Sequence, residues 1–276
     1  MAILLGCDSV SLEFPTKHIF DSVTLGVGEG DRIGIVGKNG DGKSTLLSVL
    51  AGTLEPDDGR VTHRRGTTIG LLGQKDNLVD TDTVHHAVVG DAPEYEWASS
   101  PRTRQILAGL ISDVPWEGTV GELSGGQLQR LAIARALMLE PDFILADEPV
   151  SALDVSVQAQ ILNLMIDLKE NLGQTMLFIS HDLNVVRHLC DRVAVVYLGV
   201  IVEMGPIDEV YSNVMHPYTQ ALISAKPKEH PLQQKEQIIL KGDIPTAIDV
   251  PEGCRFASRC SRYKHSLCDH RTPKLK

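Results

Sequence analysis

Gly37-Lys38-Asn39-Gly40-Asp41-Gly42-Lys43-Ser44 decides the fold. The run has the spacing of a phosphate-binding P-loop, two glycines with four residues between them followed by Lys-Ser. Its flanks agree with that reading. Arg32 to Val36 before it is a short apolar strand, and Lys43 to Leu50 after it has helical spacing that Gly52 closes. Glycines let the backbone wrap a phosphate where a Cβ would clash. Backbone N–H groups and the helix N-terminus then face the anion. In such a loop Lys43 reaches the β- and γ-phosphates, Ser44 ligates magnesium, and Asn39 and Thr45 flank the cradle formed by Gly37, Gly40 and Gly42.

Working outward, Val10, Leu12 and Phe14, then Val23, Leu25 and Val27, alternate as half-buried strands. Gly26 to Gly30 is also glycine-rich, but it precedes a strand and lacks P-loop spacing, so it reads as a turn. Thr67 to Leu72 predicts a strand. Short helices are expected near Thr83–Val89 and Thr103–Ile111. Ser124 can cap a helix running to about Leu139, with Pro141 beyond its end. Phe143 to Ala146 reads as a buried strand. Val157, Ile161, Leu164, Met165 and Leu168 recur at helical spacing before Gly173. Thr175–Ile179, Asp182–Leu189 and Val193–Tyr197 continue as strand, helix, strand. This alternation implies an α/β domain with a mostly parallel sheet covered on both faces.

Phe143-Ile144-Leu145-Ala146-Asp147-Glu148 ends in two carboxylates. Alone they would read as a solvated strand end. Beside a P-loop, Asp147 can hold magnesium, and Glu148 can polarise the water that attacks in line.

The bulk numbers bound the alternatives. The chain has 276 residues and a formal charge of -10, and 4% of it is aromatic. That argues against a nucleic-acid grip spread over the whole surface, leaving room for a local basic patch, and against a base-stacking platform. No apolar run approaches the length of a membrane span. Met1 to Cys7 ends like a lipoprotein cleavage box but lacks a basic n-region and a full apolar region, so a cytoplasmic protein is expected. Its five cysteines are then expected to be reduced or metal-bound.

Leu123-Ser124-Gly125-Gly126-Gln127 discriminates further. With the P-loop, Gln74, Asp147-Glu148, Ser151-Ala152-Leu153-Asp154 and His181, all in family order, the chain resembles the ABC ATPases. The resemblance implies a P-loop NTPase core with an antiparallel β subdomain and a small helical subdomain at about 75–140. The core would span 1–225, with an appendage at 226–276. It implies a magnesium-dependent ATPase whose second protomer completes each site. Ser124, Gly125, Gly126 and Gln127 would meet the γ-phosphate of ATP held by the other copy. Gln74 would sense magnesium and the attacking water, Asp154 would lie across the dimer interface, and His181 would contact the γ-phosphate and Glu148. Phe14 matches the aromatic that stacks on adenine. A core phenylalanine is the plainer reading of Phe14, and a surface histidine that of His181.

The resemblance is not uniform. Gly34 to Lys43 and Glu94-Tyr95-Glu96-Trp97-Ala98 are similar to the soluble ABC-F class. From about residue 125 the chain looks like ATP-binding subunits of dipeptide and oligopeptide importers, through Asp147 to Ser156, His216-Pro217-Tyr218-Thr219 and Gly253-Cys254-Arg255-Phe256. A recombinant with a seam near residue 125 is one reading; a single lineage with a diverged helical subdomain is the other. The importer resemblance implies membrane permease subunits, an external solute-binding protein, and a location on the inner face of the membrane. The rival is a soluble factor acting on the ribosome. Cys254, Cys260 and Cys268 cluster in the appendage. Similar importer subunits hold an iron–sulfur cluster there, so a cluster or zinc, with His265 or His270 completing the set, stands against three plain reduced thiols.

Overall fold

Fully apolar runs become strands buried on both faces, as a parallel sheet demands. The computed structural model describes residues 3–72, 78–150, 155–225, 237–240, 242, 251 and 253–271. The strands are β1 (Ile3–Phe14), β2 (Lys17–Gly28), β3 (Arg32–Val36), β4 (Asp58–His63), β5 (Ile69–Leu72), β6 (Phe143–Asp147), β7 (Thr175–Ile179), β8 (Arg192–Tyr197) and β9 (Val200–Pro206). The helices are α1 (Lys43–Leu50), α2 (Val84–Val89), α3 (Glu94–Trp97), α4 (Pro101–Leu110), α5 (Gly125–Met138), α6 (Val155–Leu172), α7 (Leu183–Leu189), α8 (Ile207–Ser212), α9 (Pro217–Ser224) and α10 (His265–Cys268). Among the described residues, no helix is long and apolar enough to cross a membrane.

The chain divides into two compact units. The first draws on residues 1–4, 28–32 and 64–180. In it β5, β6 and β7 run parallel, with Ile69 opposite Phe143 and Phe143 opposite Thr175. Phe143 to Ala146 and all of β7 are buried. The helices begin where their sequences allow. Thr83 accepts the His86 N–H before α2, and Ser100 accepts the Thr103 N–H before α4, with Pro101 supplying the preset first turn. Arg130 of α5 binds the end of α4. Its guanidinium meets both oxygens of Asp113 at 2.6 and 2.8 Å and the Leu110 carbonyl at 3.0 Å. That pairing holds the Asp113 carboxyl below its ordinary range.

The second unit draws on residues 5–27, 33–63 and 181–276. Here β3 and β8 run parallel and β9 returns antiparallel to β8. An antiparallel sheet, in the order β2-β1-β4, makes the β subdomain. Strand β4 escapes the sequence reading. Val61 is its single large apolar residue, and β4 is an exposed edge paired to β1 through backbone and through Arg60, whose guanidinium meets Asp8 at 3.4 Å. Described residues of the tail, 253–271, lie in this same unit.

His216-Pro217-Tyr218-Thr219 is the cap and start of α9, and the first three residues each have a local task. His216 caps the helix by accepting the Tyr218 N–H at 3.2 Å, and Pro217 takes the first turn. Buried Glu203 accepts the Met215 and His216 N–H groups at 2.8 and 3.0 Å. Tyr218 is fully buried against Tyr197 and Phe256.

Burial pushes the His216 imidazole below its ordinary range, with Glu203 opposing. The sign follows. Below the ordinary value of about 6.5 the unfolded chain takes up a proton the folded chain resists, so stability is lost as pH falls through that window. Melting temperature is therefore expected to drop between about pH 7 and 5.5. His216→Asn, which keeps a capping acceptor, should flatten that slope in calorimetry. An unchanged slope would exclude His216 as its source.

Candidate active site

The P-loop leaves β3 at Val36 and enters α1 at Lys43. Gly42 is the residue before the helix, with φ of +91°. A Cβ there would lie 2.9 Å from the Phe20 ring and 3.0 Å from Ile19, so both conformation and space require glycine. Lys43 is 4% exposed, and its ammonium donates to the carbonyls of Gly37 and Lys38 at 3.0 and 2.9 Å. The P-loop lysine thus spans the loop it belongs to. Ser44, Asn39 and Gly40 are exposed, and the first turn of α1 carries no acidic residue to compete with an incoming anion.

Three side chains in and around the loop have roles that the motif does not announce. Lys17 of β2 donates to the Gly40 carbonyl at 3.0 Å. Asp41 is buried and accepts the N–H groups of Lys38 at 2.8 Å and Leu198 at 3.1 Å. Burial raises the Asp41 carboxyl above its ordinary range despite those two donors. Tyr218 is the third, with its phenol pushed up by burial and then by the Asp41 charge. In the same unit Phe14 is 41% exposed at the end of β1, so the core reading of this aromatic fails. His181 is exposed and precedes Asp182, which caps α7 by accepting the Asn184 N–H at 2.7 Å.

The first unit carries the carboxylate strand and the Ser-Gly-Gly-Gln motif. β6 ends at half-buried Asp147. Glu148 follows with φ of +45°, a left-handed conformation that costs a non-glycine residue of order 1–3 kcal/mol. Its N–H still bonds the Ile179 carbonyl at 3.1 Å, so the chain turns out of the sheet at this side chain. Ser124 and Gln127 form a capping box at the head of α5. The Ser124 oxygen accepts the Gln127 N–H at 3.4 Å, and Gln127 Oε1 accepts the Ser124 N–H at 2.9 Å. The hydroxyl proton of Ser124 is left to donate outward. Ser124 and Gly125 are exposed, and nothing lies within 4 Å of the place a Gly125 Cβ would occupy. Gln129 of the same helix donates to the Pro149 carbonyl at 2.9 Å, tying α5 to the segment after Glu148.

Residues 20–151 match the ABC transporter profile, and residues 202–268 match the oligopeptide/dipeptide transporter C-terminal region. The oligopeptide transport ATP-binding protein OppF of Escherichia coli is 40% identical over 274 residues, covering 89% of this chain and 80% of that protein. The chain belongs to the ABC transporter family. OppF of Salmonella typhimurium is 39% identical with the same coverage. Alignments of this length run through residue 125. Among solved structures, a dimeric post-hydrolysis state of the ATP-binding cassette MJ0796, bound to ADP and Pi, is 28% identical with a TM-score of 0.65, covering 74% of this chain and 98% of that one. A nucleotide-free cassette from an ABC transporter is 26% identical with the same TM-score, covering 80% of this chain and 98% of that one.

For an ABC ATPase the P-loop, carboxylate strand and capped α5 are therefore in their family context. Gln74 and Ser151 to Asp154 lie outside the described residues. The tail corrects one expectation. Among the described residues no three His, Cys, Asp or Glu side chains are grouped to hold a metal ion, so an iron–sulfur or zinc site on Cys254, Cys260 and Cys268 is not supported. The sulfurs have other company. Backbone N–H groups of Arg262 and Lys264 donate to Cys260 and Cys268 at 3.4 Å, and burial pushes the Cys254 thiol up. His265 turns to Asp269 at 2.8 Å.

Proposed function

We propose that this ABC ATPase drives peptide import: it hydrolyses ATP and passes the resulting motion to membrane permease subunits fed by an external solute-binding protein. The observation that carries the peptide-import reading is the tail, since residues 202–268 match the transporter-type C-terminal region in the same chain as an ABC P-loop. The chain would then sit peripherally on the inner face of the membrane.

The residues assign themselves by chemistry. Backbone N–H groups of Gly40, Gly42, Lys43 and Ser44 and the Lys43 ammonium bind the phosphates. Phe14, exposed beside the β subdomain, offers its face to adenine. Ser44, exposed on α1, and Asp147, half-buried at the end of β6, each offer the kind of oxygen that magnesium takes. When bound, magnesium would neutralise phosphate charge. Glu148 accepts the proton of the attacking water, with Gln74 and His181 placing water and γ-phosphate. The exposed head of α5, with Ser124 and the Gly125–Gly126 N–H groups, serves the ATP of the partner copy, and Asp154 lines the contact between copies.

Co-purification tests the reading. The full chain, expressed in its own host and solubilised in mild detergent, is expected to bring integral membrane partners with it. Salt-sensitive association with ribosomes, and none with membrane proteins, would overturn import in favour of a translation factor.

A further inference from the structure

The tail of this chain is linked to the P-loop through the turn between β8 and β9. Arg255 is 6% exposed, and its guanidinium forks between two partners. One arm donates to the Leu198 carbonyl and the other to Asp21 of β2 at 3.1 Å. Leu198 lies in the turn between β8 and β9 with φ of +45°, an unfavourable conformation for leucine that something must hold. Gly199 beside it has φ of +75°, and a Cβ there would fall 1.6 Å from the Ile19 carbonyl oxygen, so the turn is pressed against β2. From that turn the Leu198 N–H reaches Asp41 at 3.1 Å, and the other Asp41 oxygen takes the Lys38 N–H at 2.8 Å. Asp41 in turn donates its N–H to the Lys38 carbonyl at 3.2 Å. The next tail residue, Phe256, is buried edge-on to Tyr197 with ring centroids 5.1 Å apart, which fixes where Arg255 can point.

We infer that Arg255 is a positioning residue for ATP binding: through the Leu198 turn and Asp41 it sets the shape of the P-loop. The polar chain is unbroken, from tail guanidinium to turn carbonyl, along one residue to its N–H, to a buried carboxylate, to the loop. Asp41 has no spare oxygen, so displacement of Leu198 displaces the acceptor that fixes Lys38. A loop with its N–H groups misaimed loses phosphate binding in ground and transition states alike, which raises KM while sparing kcat.

The inference rests on the P-loop as the ATP site, and the experiment separates the two. Full-length wild type, Arg255→Gln, Arg255→Lys and Asp41→Asn, plus the Asp41→Asn/Arg255→Gln double variant, are compared at equal folded fraction by calorimetry. Arg255→Gln is expected to raise the KM for ATP by ~10-fold with kcat within ~2-fold. Arg255→Lys keeps the charge but loses the fork, and is expected to give ~3-fold. The double variant is expected to match the worse single variant, because both act on one chain of contacts. KM values at wild type in both folded Arg255 variants, or single effects that multiply in the double variant, would overturn the inference. If Arg255→Gln does not fold, Arg255→Lys decides alone. Wild type without saturable ATP turnover would instead sink the nucleotide reading itself.

Discussion

Glu148→Gln is expected to lower ATP turnover by ~100- to 10,000-fold, the range over which a positioned general base contributes, while ATP binding persists. Glutamine has the size of glutamate and keeps an acceptor, so it disturbs little at the end of β6. What it lacks is basicity toward the attacking water. The backbone supports a specific role for this position. Glu148 sits at φ of +45°, and its N–H is bonded to the Ile179 carbonyl at 3.1 Å. Strain of this kind persists only where neighbours impose it. If hydrolysis opens the dimer, blocking hydrolysis leaves it closed. Light scattering with ATP and magnesium is therefore expected to show Glu148→Gln as a dimer, alongside phosphate release near background. Normal phosphate release by that variant, or a single copy under saturating ATP, would contradict the assignment.

Much of this was legible because local chemistry carried it. Strands β3, β6, β7 and β8 are apolar runs whose burial needs no partner to be recognised. Helices α5 and α7 begin where Ser124 and Asp182 can cap them. Strand β4 was illegible because Asp58 to His63 pairs through backbone while its side chains stay largely in solvent. Asp41 and Arg255 went unread for another reason. Leu198 and Asp41 meet 157 residues apart in sequence, and Arg255 and Asp21 meet 234 apart. No local pattern encodes such pairings. The tail cysteines left two readings open in the sequence, a metal site or reduced thiols, and among the described residues no metal-holding group supports the first. His216 to Thr219 carried a family resemblance in the sequence, and its physical cause became visible only as the cap and first turn of α9.

A copy held apart from its partner is expected to lose at least ~100-fold in turnover. Removing one well-placed donor from a transferring phosphoryl group typically costs about 3 kcal/mol, and under the proposed shared site a lone copy would lack several. Ser124 and Gly125 at the head of α5 are exposed in the described structure, open to a partner copy under the proposed shared site. The dimeric state of the similar cassette MJ0796 with ADP and Pi fits that economy. The decisive measurement is phosphate release per copy across a dilution series, with the assembly state read in parallel by light scattering. Turnover per copy should fall in proportion to concentration once single copies dominate. A constant turnover per copy in solutions shown to hold only single copies would contradict the shared site.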